Sequence, residues 1–265
     1  HRKSIHDAGE FGMTTKIPEH QNIVGKGIDR VDGHAKVTGK AKYTSDISLP
    51  GLCYAVVIQS TIPSGKITAI DSAAAEAVPG VLAVLTHLNA PRLKKNENDK
   101  NNLPILQSDQ IKFAGQNIGV VIADSFEKAC FAADLVKVSY AASKSKTNPI
   151  ADAKTMLAAM ENAPPEKRGD IAAGVKKAEF KVSATYTTPT ETHNPMEPFA
   201  TVADWDGENL TVYETTQGVF PSRKSIADIV GIPKDKIRVI THYLGGGFGC
   251  KLSLWSHAVL AVLAT

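Results

Sequence analysis

A glycine-rich run is the part of the sequence whose residue types most clearly allow chemistry. It reads Gly-Gly-Gly-Phe-Gly-Cys-Lys over residues 245–251. Glycine reaches positive φ without a steric penalty and has no side chain to hold a ligand away. The amide N–H groups of such a run can therefore lie against an anionic or oxo-rich group. The run indicates either a cofactor-binding loop or a tight turn that only glycine permits.

The familiar nucleotide-binding motifs do not fit this run. A P-loop needs lysine directly after its last glycine, but Cys250 separates Gly249 from Lys251. Leu252 stands where that motif needs a hydroxyl group. The Rossmann pattern fails as well, because Cys250 takes the position of its third glycine. A stand-alone nucleotide-binding domain is therefore disfavoured.

The segments around the run predict strands and helices that would bring polar residues to it. One strand pattern ends at Gln217, and Gly231 with Pro233 marks the end of the helix that follows. An apolar helix directly after the glycines would add a helix N-terminus, which favours anions. The predicted elements are strands at 200–205, 210–217 and 236–241 and helices at 222–230 and 252–263.

The N-terminal half has the same alternating texture. Asp71 and Ser125 are predicted to cap two helices. The predicted elements are strands at 53–59, 81–85, 117–123 and 136–140 and helices at 72–77 and 126–135, with a further strand at 180–186.

The order of strand, Gln217, helix, strand and glycine run resembles the molybdenum-binding subunit of the xanthine dehydrogenase and aldehyde oxidase family, the molybdenum hydroxylases. The likeness is strongest to the bacterial aldehyde-oxidising members. It also includes Gly-Lys-Ala-Lys-Tyr at 39–43 and Met-Glu-Pro at 196–198, and it covers roughly residues 22–265. It implies an α+β fold, with an α/β hammerhead domain followed by the incomplete first part of a molybdopterin-binding domain.

The resemblance and the composition together divide the chain into four parts. Residues 1–12 precede Met13, a natural start, and are a candidate cloning remnant. A segment rich in alanine, lysine, asparagine and proline reads as a linker. The predicted parts are an N-terminal extension at 1–21, the hammerhead domain at 22–145, the linker at 146–170 and the start of the molybdopterin-binding domain at 171–265.

The resemblance also implies roles for individual residues. The side-chain amide of Gln217 would donate a hydrogen bond to an oxo ligand of molybdenum, and no residue of this chain would bind the metal directly. Without the resemblance, Gln217 would be read as a residue at the end of a strand whose side-chain amide forms hydrogen bonds with the backbone of a loop. Phe248 and Leu252 would lie on the substrate side. The implied cofactor-binding residues are Gln217, Gly246, Gly247, Phe248 and Gly249.

Two departures from the family pattern bear on the substrate and the loop. Cys250 replaces a usual glycine and is interpreted as a small buried thiol rather than a metal ligand. Leu252 replaces a glutamate that xanthine-oxidising members carry. An apolar residue there would leave the polar edge of a purine unpaired, which favours aldehydes or apolar heteroaromatic substrates.

The catalytic set that the resemblance implies is incomplete in this chain. The family's general base is a glutamate far beyond Thr265, and no residue here matches it. Glu197 is interpreted as structural rather than catalytic. The isolated chain is therefore expected not to turn over substrate. The alternative is a non-catalytic assembly fragment that docks partner subunits.

The implied cofactor is molybdenum–molybdopterin, in the cytosine dinucleotide form. The sequence has three cysteines and no CxxC pair, so the family's iron–sulfur clusters are assigned to partner subunits only. The resemblance implies that FAD also lies on a partner subunit. The cysteines are Cys53, Cys130 and Cys250. The expected partners are the C-terminal remainder of the molybdenum subunit, an iron–sulfur subunit, an FAD subunit and a small-molecule substrate.

Composition argues against two other classes of partner. The formal net charge is only +3 and the lysines are scattered, so nucleic acid is not an expected partner. The longest apolar stretch is too short to cross a membrane. The polar start has no apolar core of a signal peptide, which predicts a cytoplasmic location, with export alongside a partner left open.

Overall fold

A computed structural model of the chain describes residues 25–94, 105–145 and 168–265. The chain divides into two compact units, residues 1–41 and 42–265. In the described part of the first unit, the short helix α1 spans Gly33–Val37. Hydrogen bonds from Arg30 and Lys36 lower the pKa of the preceding Asp32 carboxyl group to about 2.

The N-terminal part of the second unit contains two small antiparallel sheets. In each sheet one strand lies between two neighbours: β5 pairs with β1 and β3, and β2 pairs with β4 and β6. The strands are β1 Tyr54–Gln59, β2 Gly65–Asp71, β3 Val81–Thr86, β4 Gln110–Ile111, β5 Asn117–Ala123 and β6 Lys137–Ala142. Two helices accompany them, α2 Ala73–Glu76 and α3 Phe126–Leu135.

Strand β5 is buried because its sequence is an almost unbroken apolar run from Ile118 to Ala123. Its Val121 packs in a cluster with Ala132 of α3, whereas Ile118 packs with Ile67 of the other sheet. A strand that is covered on both faces needs this continuous pattern rather than alternation. Strand β5 thus packs against helix α3 through one cluster and against the second sheet through another.

The C-terminal elements form a third sheet with a crossover helix. Strand β8 pairs antiparallel with β7 and parallel with β9, and the helix between β8 and β9 makes the crossover. The elements are α4 Ile171–Lys177, β7 Thr201–Trp205, β8 Leu210–Glu214, α5 Val219–Val230, β9 Ile237–Ile240 and α6 Ser256–Ala264. Helix α5 ends where predicted, at Gly231 with φ of 83°.

Helix α6 connects the third sheet to the first two. Leu260 is 1% exposed and packs with Leu106 and with Val120 of β5. Val262 belongs to the core of the third sheet. At the start of the helix, Asn117 Nδ2 donates to Ser256 Oγ at 2.8 Å. Within the described residues, no helix is both long enough and apolar enough to cross a membrane.

Several predicted elements are confirmed. Strand 117–123 and helix 126–135 have the predicted bounds, and Ser125 Oγ accepts from the Lys128 amide at 3.3 Å as the predicted cap. Asp71 Oδ1 accepts from the Ala73 amide at 3.2 Å, but the N-cap residue of α2 is Ser72, one position later than predicted, and its side chain makes no capping hydrogen bond. The predicted N-terminal extension and most of the predicted linker, residues 1–24 and 146–167, lie outside the described residues.

Two predictions were wrong and two strands were missed. Residues 180–186 are exposed and form no strand, because apolar alternation creates a strand only where a partner supplies the hydrogen bonds. The helix predicted from residue 252 begins at Ser256, since the chain still turns through residue 253. Strands β2 and β4 were not predicted; β4 has only two residues and carries no pattern.

We expect Leu260→Ala to lower the free energy of unfolding by about 2–5 kcal/mol, because it empties a fully enclosed site between α6 and β5. The matched control is Leu82→Ala, since Leu82 is 61% exposed and its truncation should change stability by no more than about 0.5 kcal/mol. Urea unfolding measures both. Equal effects of the two substitutions would contradict the packing role of α6.

Candidate functional site

The parallel pairing of β8 and β9 brings two loops to the same edge of the third sheet. The register pairs Leu210 with Ile237 and Tyr213 with Ile240, so both strands end side by side. Carboxyl ends of neighbouring parallel strands are the usual location of ligand sites in α/β sheets. Gln217 follows β8, and the glycine loop, which we define as residues 245–251, follows β9.

Gln217 is joined to the glycine loop by two hydrogen bonds. Its backbone N–H donates to Lys251 O at 2.9 Å. Its side-chain Oε1 accepts from the Gly249 amide at 3.0 Å. Because a backbone N–H pairs with the oxygen end of the amide, the Nε2 end is left to donate elsewhere, and it has no protein partner within the described residues. The side chain is exposed.

At two loop positions a side chain would meet close neighbours that must then shift. A Cβ atom on Gly247 would lie 2.5 Å from Gln217 Oε1, and one on Gly245 would lie 2.5 Å from the Cβ of Glu197. Gly246 and Gly249 have φ of 98° and 96°, values that other residues rarely adopt. The loop therefore needs its glycines for both space and conformation.

Phe248 departs from the usual behaviour of a bulky residue. Its φ is 52°, in the left-handed region that glycine favours, and its side chain is 71% exposed. Strained backbone of this kind persists only where its surroundings hold it, and it is frequent at ligand sites. The amides of Gly246, Gly247 and Phe248 donate to no group in the described part of the chain, so three consecutive N–H donors have no protein partner there.

A buried ion pair lies beneath the loop. Lys251 is fully buried, and its Nζ donates to the Glu197 carbonyl oxygen at 2.8 Å and to Glu197 Oε2 at 3.0 Å. The same Oε2 accepts from the Gly245 amide at 2.8 Å. Lys251 Nζ also lies 5.5 Å from the centre of the Phe199 ring. Glu197 thus contacts both Gly245 and Lys251 of this loop.

Lys251 was missed as a site residue. Its partner Glu197 is 54 positions away, so no local spacing connects them. Lysine is also seldom fully buried unless it is paired, which makes an exposed loop lysine the ordinary expectation. The only local signal is that the lysine is the last residue of the glycine-rich run.

Hydroxyl groups tie the loop to the start of α5. Thr216 Oγ1 lies 2.9 Å from Ser222 Oγ and 3.2 Å from Lys251 O. The same oxygen accepts from the Gly218 amide at 3.0 Å. Because Thr216 and Ser222 are buried, this network fixes the backbone on either side of Gln217.

Cys250 and Leu252 flank the buried lysine differently. The Cys250 thiol donates to Gly247 O at 2.9 Å, so the loop accommodates its Cβ, and the residue is partly rather than fully buried. The Leu252 side chain is 58% exposed. No cluster of three or more metal-ligating side chains occurs within the described ranges. The arrangement offers loop N–H donors beside an exposed apolar side chain.

Comparison with known families identifies the class of this fold and loop. Residues 38–144 match the a/b hammerhead domain of aldehyde oxidase and xanthine dehydrogenase, and residues 155–265 match the molybdopterin cofactor-binding domain. The chain therefore belongs to the aldehyde oxidase and xanthine dehydrogenase family. The resemblance and the fold class predicted from the sequence are confirmed.

Individual relatives agree with this assignment. The chain is 38% identical over 244 residues to the aldehyde oxidoreductase molybdenum-binding subunit PaoC of Escherichia coli K12, covering 91% of this chain and 33% of PaoC. It is 32% identical to the nicotinate dehydrogenase large molybdopterin subunit of Eubacterium barkeri, covering 88% and 56%. The solved aldehyde oxidoreductase from Desulfovibrio gigas matches with a TM-score of 0.72 and 27% identity, over 89% of this chain and 28% of that one.

The matches cover only part of each relative. The chain spans about a third of the length of PaoC, with 33% of that subunit aligned.

We expect Gly247→Ala to displace the Gln217 side chain, because the new Cβ would overlap its Oε1. The Gly249 amide should then exchange its hydrogen faster, whereas the free energy of unfolding should fall by only about 1 kcal/mol, the usual net value of one hydrogen bond. Amide hydrogen exchange measures the first effect and urea unfolding the second.

The control is Gly174→Ala in α4, where a Cβ atom meets nothing within 4 Å. It should leave exchange at Gly249 unchanged. Unchanged exchange at Gly249 in the Gly247→Ala protein would contradict the proposed anchoring of Gln217.

Proposed function

We propose that this chain supplies part of the molybdenum–molybdopterin site of a hydroxylase that oxidises aldehydes or N-heteroaromatic compounds with oxygen from water. The observation that carries the proposal is the anchoring of Gln217: its Oε1 is held by Gly249, which frees its Nε2 to donate beside three unpaired loop amides. Relatives named for an aldehyde and for nicotinate support the two substrate classes.

The donor set fits the proposed cofactor. The resemblance implies that no residue of this chain would bind molybdenum directly, and the loop offers N–H donors. Amide donors suit oxo and other electron-rich groups. The glycines at 245 and 247 make room for Glu197 and Gln217, and the amides of residues 246–248 have no acceptor in the described part of the chain. When bound, the cofactor supplies the redox chemistry and activates water.

The residues of this chain would act by preorganisation. Gln217 and the amides of the glycine loop would hold electron-rich ligands without reorganising during the reaction, and each lost donor of this kind costs about 2.7–4 kcal/mol. Phe248 and Leu252 present exposed apolar side chains, which suits a substrate-facing role. The general base would come from another part of the molybdenum subunit, so the isolated chain should not turn over.

The remaining assignments follow from the resemblance. We place the cytosine dinucleotide form of the pterin in the site, and the iron–sulfur clusters and FAD on partner subunits. The wide separation of the three cysteines in sequence supports placing the iron–sulfur clusters on a partner subunit. The proposed domains remain the hammerhead at 22–145 and the start of the molybdopterin-binding domain at 171–265, and the proposed location is cytoplasmic.

A second candidate function, docking of further polypeptide without cofactor, is favoured by one observation. Residues 179–196 make no hydrogen bond to any other described residue, and Phe180, Val182 and Tyr186 are more than 80% exposed. Alternating apolar side chains on an unpaired segment suit pairing with another strand. Stable association with the rest of the subunit in the absence of molybdenum would support this candidate, whereas metal in the associated protein favours the enzyme.

We expect Gln217→Ala in the assembled enzyme to lower turnover at least tenfold while molybdenum content is retained, because one preorganised donor is lost. Steady-state kinetics and elemental analysis measure the two quantities. The control is Gln59→Ala, which removes an exposed side-chain amide from β1, far from Gln217 in the sequence. Turnover equal to that of the wild type would remove Gln217 from the site.

Leu252→Glu should raise the ratio of kcat/KM for xanthine to that for an aromatic aldehyde at least tenfold, since a carboxylate can pair with the polar edge of a purine. Leu82→Glu, at another exposed leucine, is the control and should leave the ratio unchanged. An unchanged ratio in the Leu252→Glu enzyme would show that residue 252 does not face the substrate.

A further inference from the structure

We infer that Glu197 and Lys251 are positioning residues, whose buried ion pair holds the glycine loop in the shape that leaves its amides free for the ligand. The identity of that ligand rests on the proposed function, but the effect of the pair on the loop does not. Neither residue presents its charged group to solvent: Lys251 is 0% and Glu197 is 9% exposed.

The pair closes the loop at both ends. At the first end, the Gly245 amide donates to Glu197 Oε2 at 2.8 Å, and the Glu197 amide donates back to Gly245 O at 3.1 Å. At the last end, Lys251 donates to the same Oε2 and to the Glu197 carbonyl oxygen. One carboxylate oxygen therefore joins the two ends of a loop of seven residues.

The last end is also where Gln217 is attached. The backbone oxygen of Lys251 accepts from the Gln217 amide at 2.9 Å. The side chain of Lys251 thus fixes the loop against Glu197, and its backbone fixes the loop against Gln217. A change at Lys251 Nζ should consequently be transmitted to the position of the Gln217 side chain.

Stability alone does not account for a buried pair. Replacing both charges of such a pair by apolar side chains of similar size is often neutral or stabilising, whereas removing one charge leaves the other uncompensated. The loop, in contrast, contains Phe248 with φ of 52° between Gly246 and Gly249 with φ of 98° and 96°. Backbone of this kind is kept only where its ends are fixed. The effect of the ion pair on stability and its effect on the shape of the loop can be separated by experiment.

The test compares Lys251→Met, the double variant Glu197→Met with Lys251→Met, and Lys251→Arg in the full chain. Thermal unfolding reports the fold, and hydrogen exchange of residues 243–252 reports the loop. We expect Lys251→Met to lower the melting temperature and the double variant to recover most of that loss. Amide exchange in the loop should be at least tenfold faster than in the wild type in Lys251→Met and in the double variant. Lys251→Arg should keep most of the wild-type protection.

Lys224→Met is the matched control, because Lys224 forms an exposed ion pair with Asp228 on α5. It should leave loop exchange unchanged. Wild-type protection of the loop in the double variant would overturn the inference, as would faster exchange spread equally over residues 117–123 of β5.

A second readout connects the pair to the ligand. In the assembled molybdenum subunit, the double variant should contain less than half of the wild-type molybdenum per chain, as measured by plasma mass spectrometry. Full molybdenum content together with a loosened loop would overturn the link to the ligand. If the wild type itself contains no molybdenum, the proposed function fails, and the exchange comparison still decides whether the pair positions the loop.

Discussion

One carboxylate oxygen, Glu197 Oε2, is the contact on which the candidate site depends. It accepts from the Gly245 amide and from the Lys251 ammonium group, so it joins the two ends of the glycine loop. A charge-assisted hydrogen bond inside a buried site is stronger than its exposed counterpart, and it is costly to break on one side only. The left-handed backbone between these ends, Phe248 included, can therefore persist without a ligand. The loop amides remain unpaired because the two ends of the loop are joined in this way.

The rest of the fold brings the other half of the site to this loop. Parallel pairing makes β8 and β9 end at the same edge, which places Gln217 within hydrogen-bond distance of Gly249. Helix α6, which follows the loop, packs its Leu260 against β5 and so supports the loop on the N-terminal sheets. The continuous apolar sequence of β5, rather than any residue near the site, makes that support possible. Helix α6 thus connects the position of the glycine loop to the packing of the N-terminal sheets.

The parts of this arrangement that the sequence predicts are those encoded locally. Helix 126–135 has a local cap, and its predicted bounds are confirmed. Gln217 and the glycines were assigned through the family resemblance, and their roles at the site stay predictions. The Glu197–Lys251 pair was not predicted, because it depends on side-chain packing between positions 54 residues apart. Residues 180–186 have the alternation of a strand but no partner among the described residues, and alternation alone does not supply one. The helix after the loop starts later than its apolar run, since Trp255 Nε1 donates to Cys250 O and the intervening residues turn.

The central claim is that the glycine loop and the freed amide of Gln217 face molybdenum. Anomalous diffraction at the molybdenum absorption edge, from crystals of the assembled subunit, tests it most directly. We expect one strong peak per chain, next to Gln217 Nε2 and the amides of residues 246–248. A peak elsewhere in the subunit, or no peak in an assembly that contains this chain in its folded form, would contradict it.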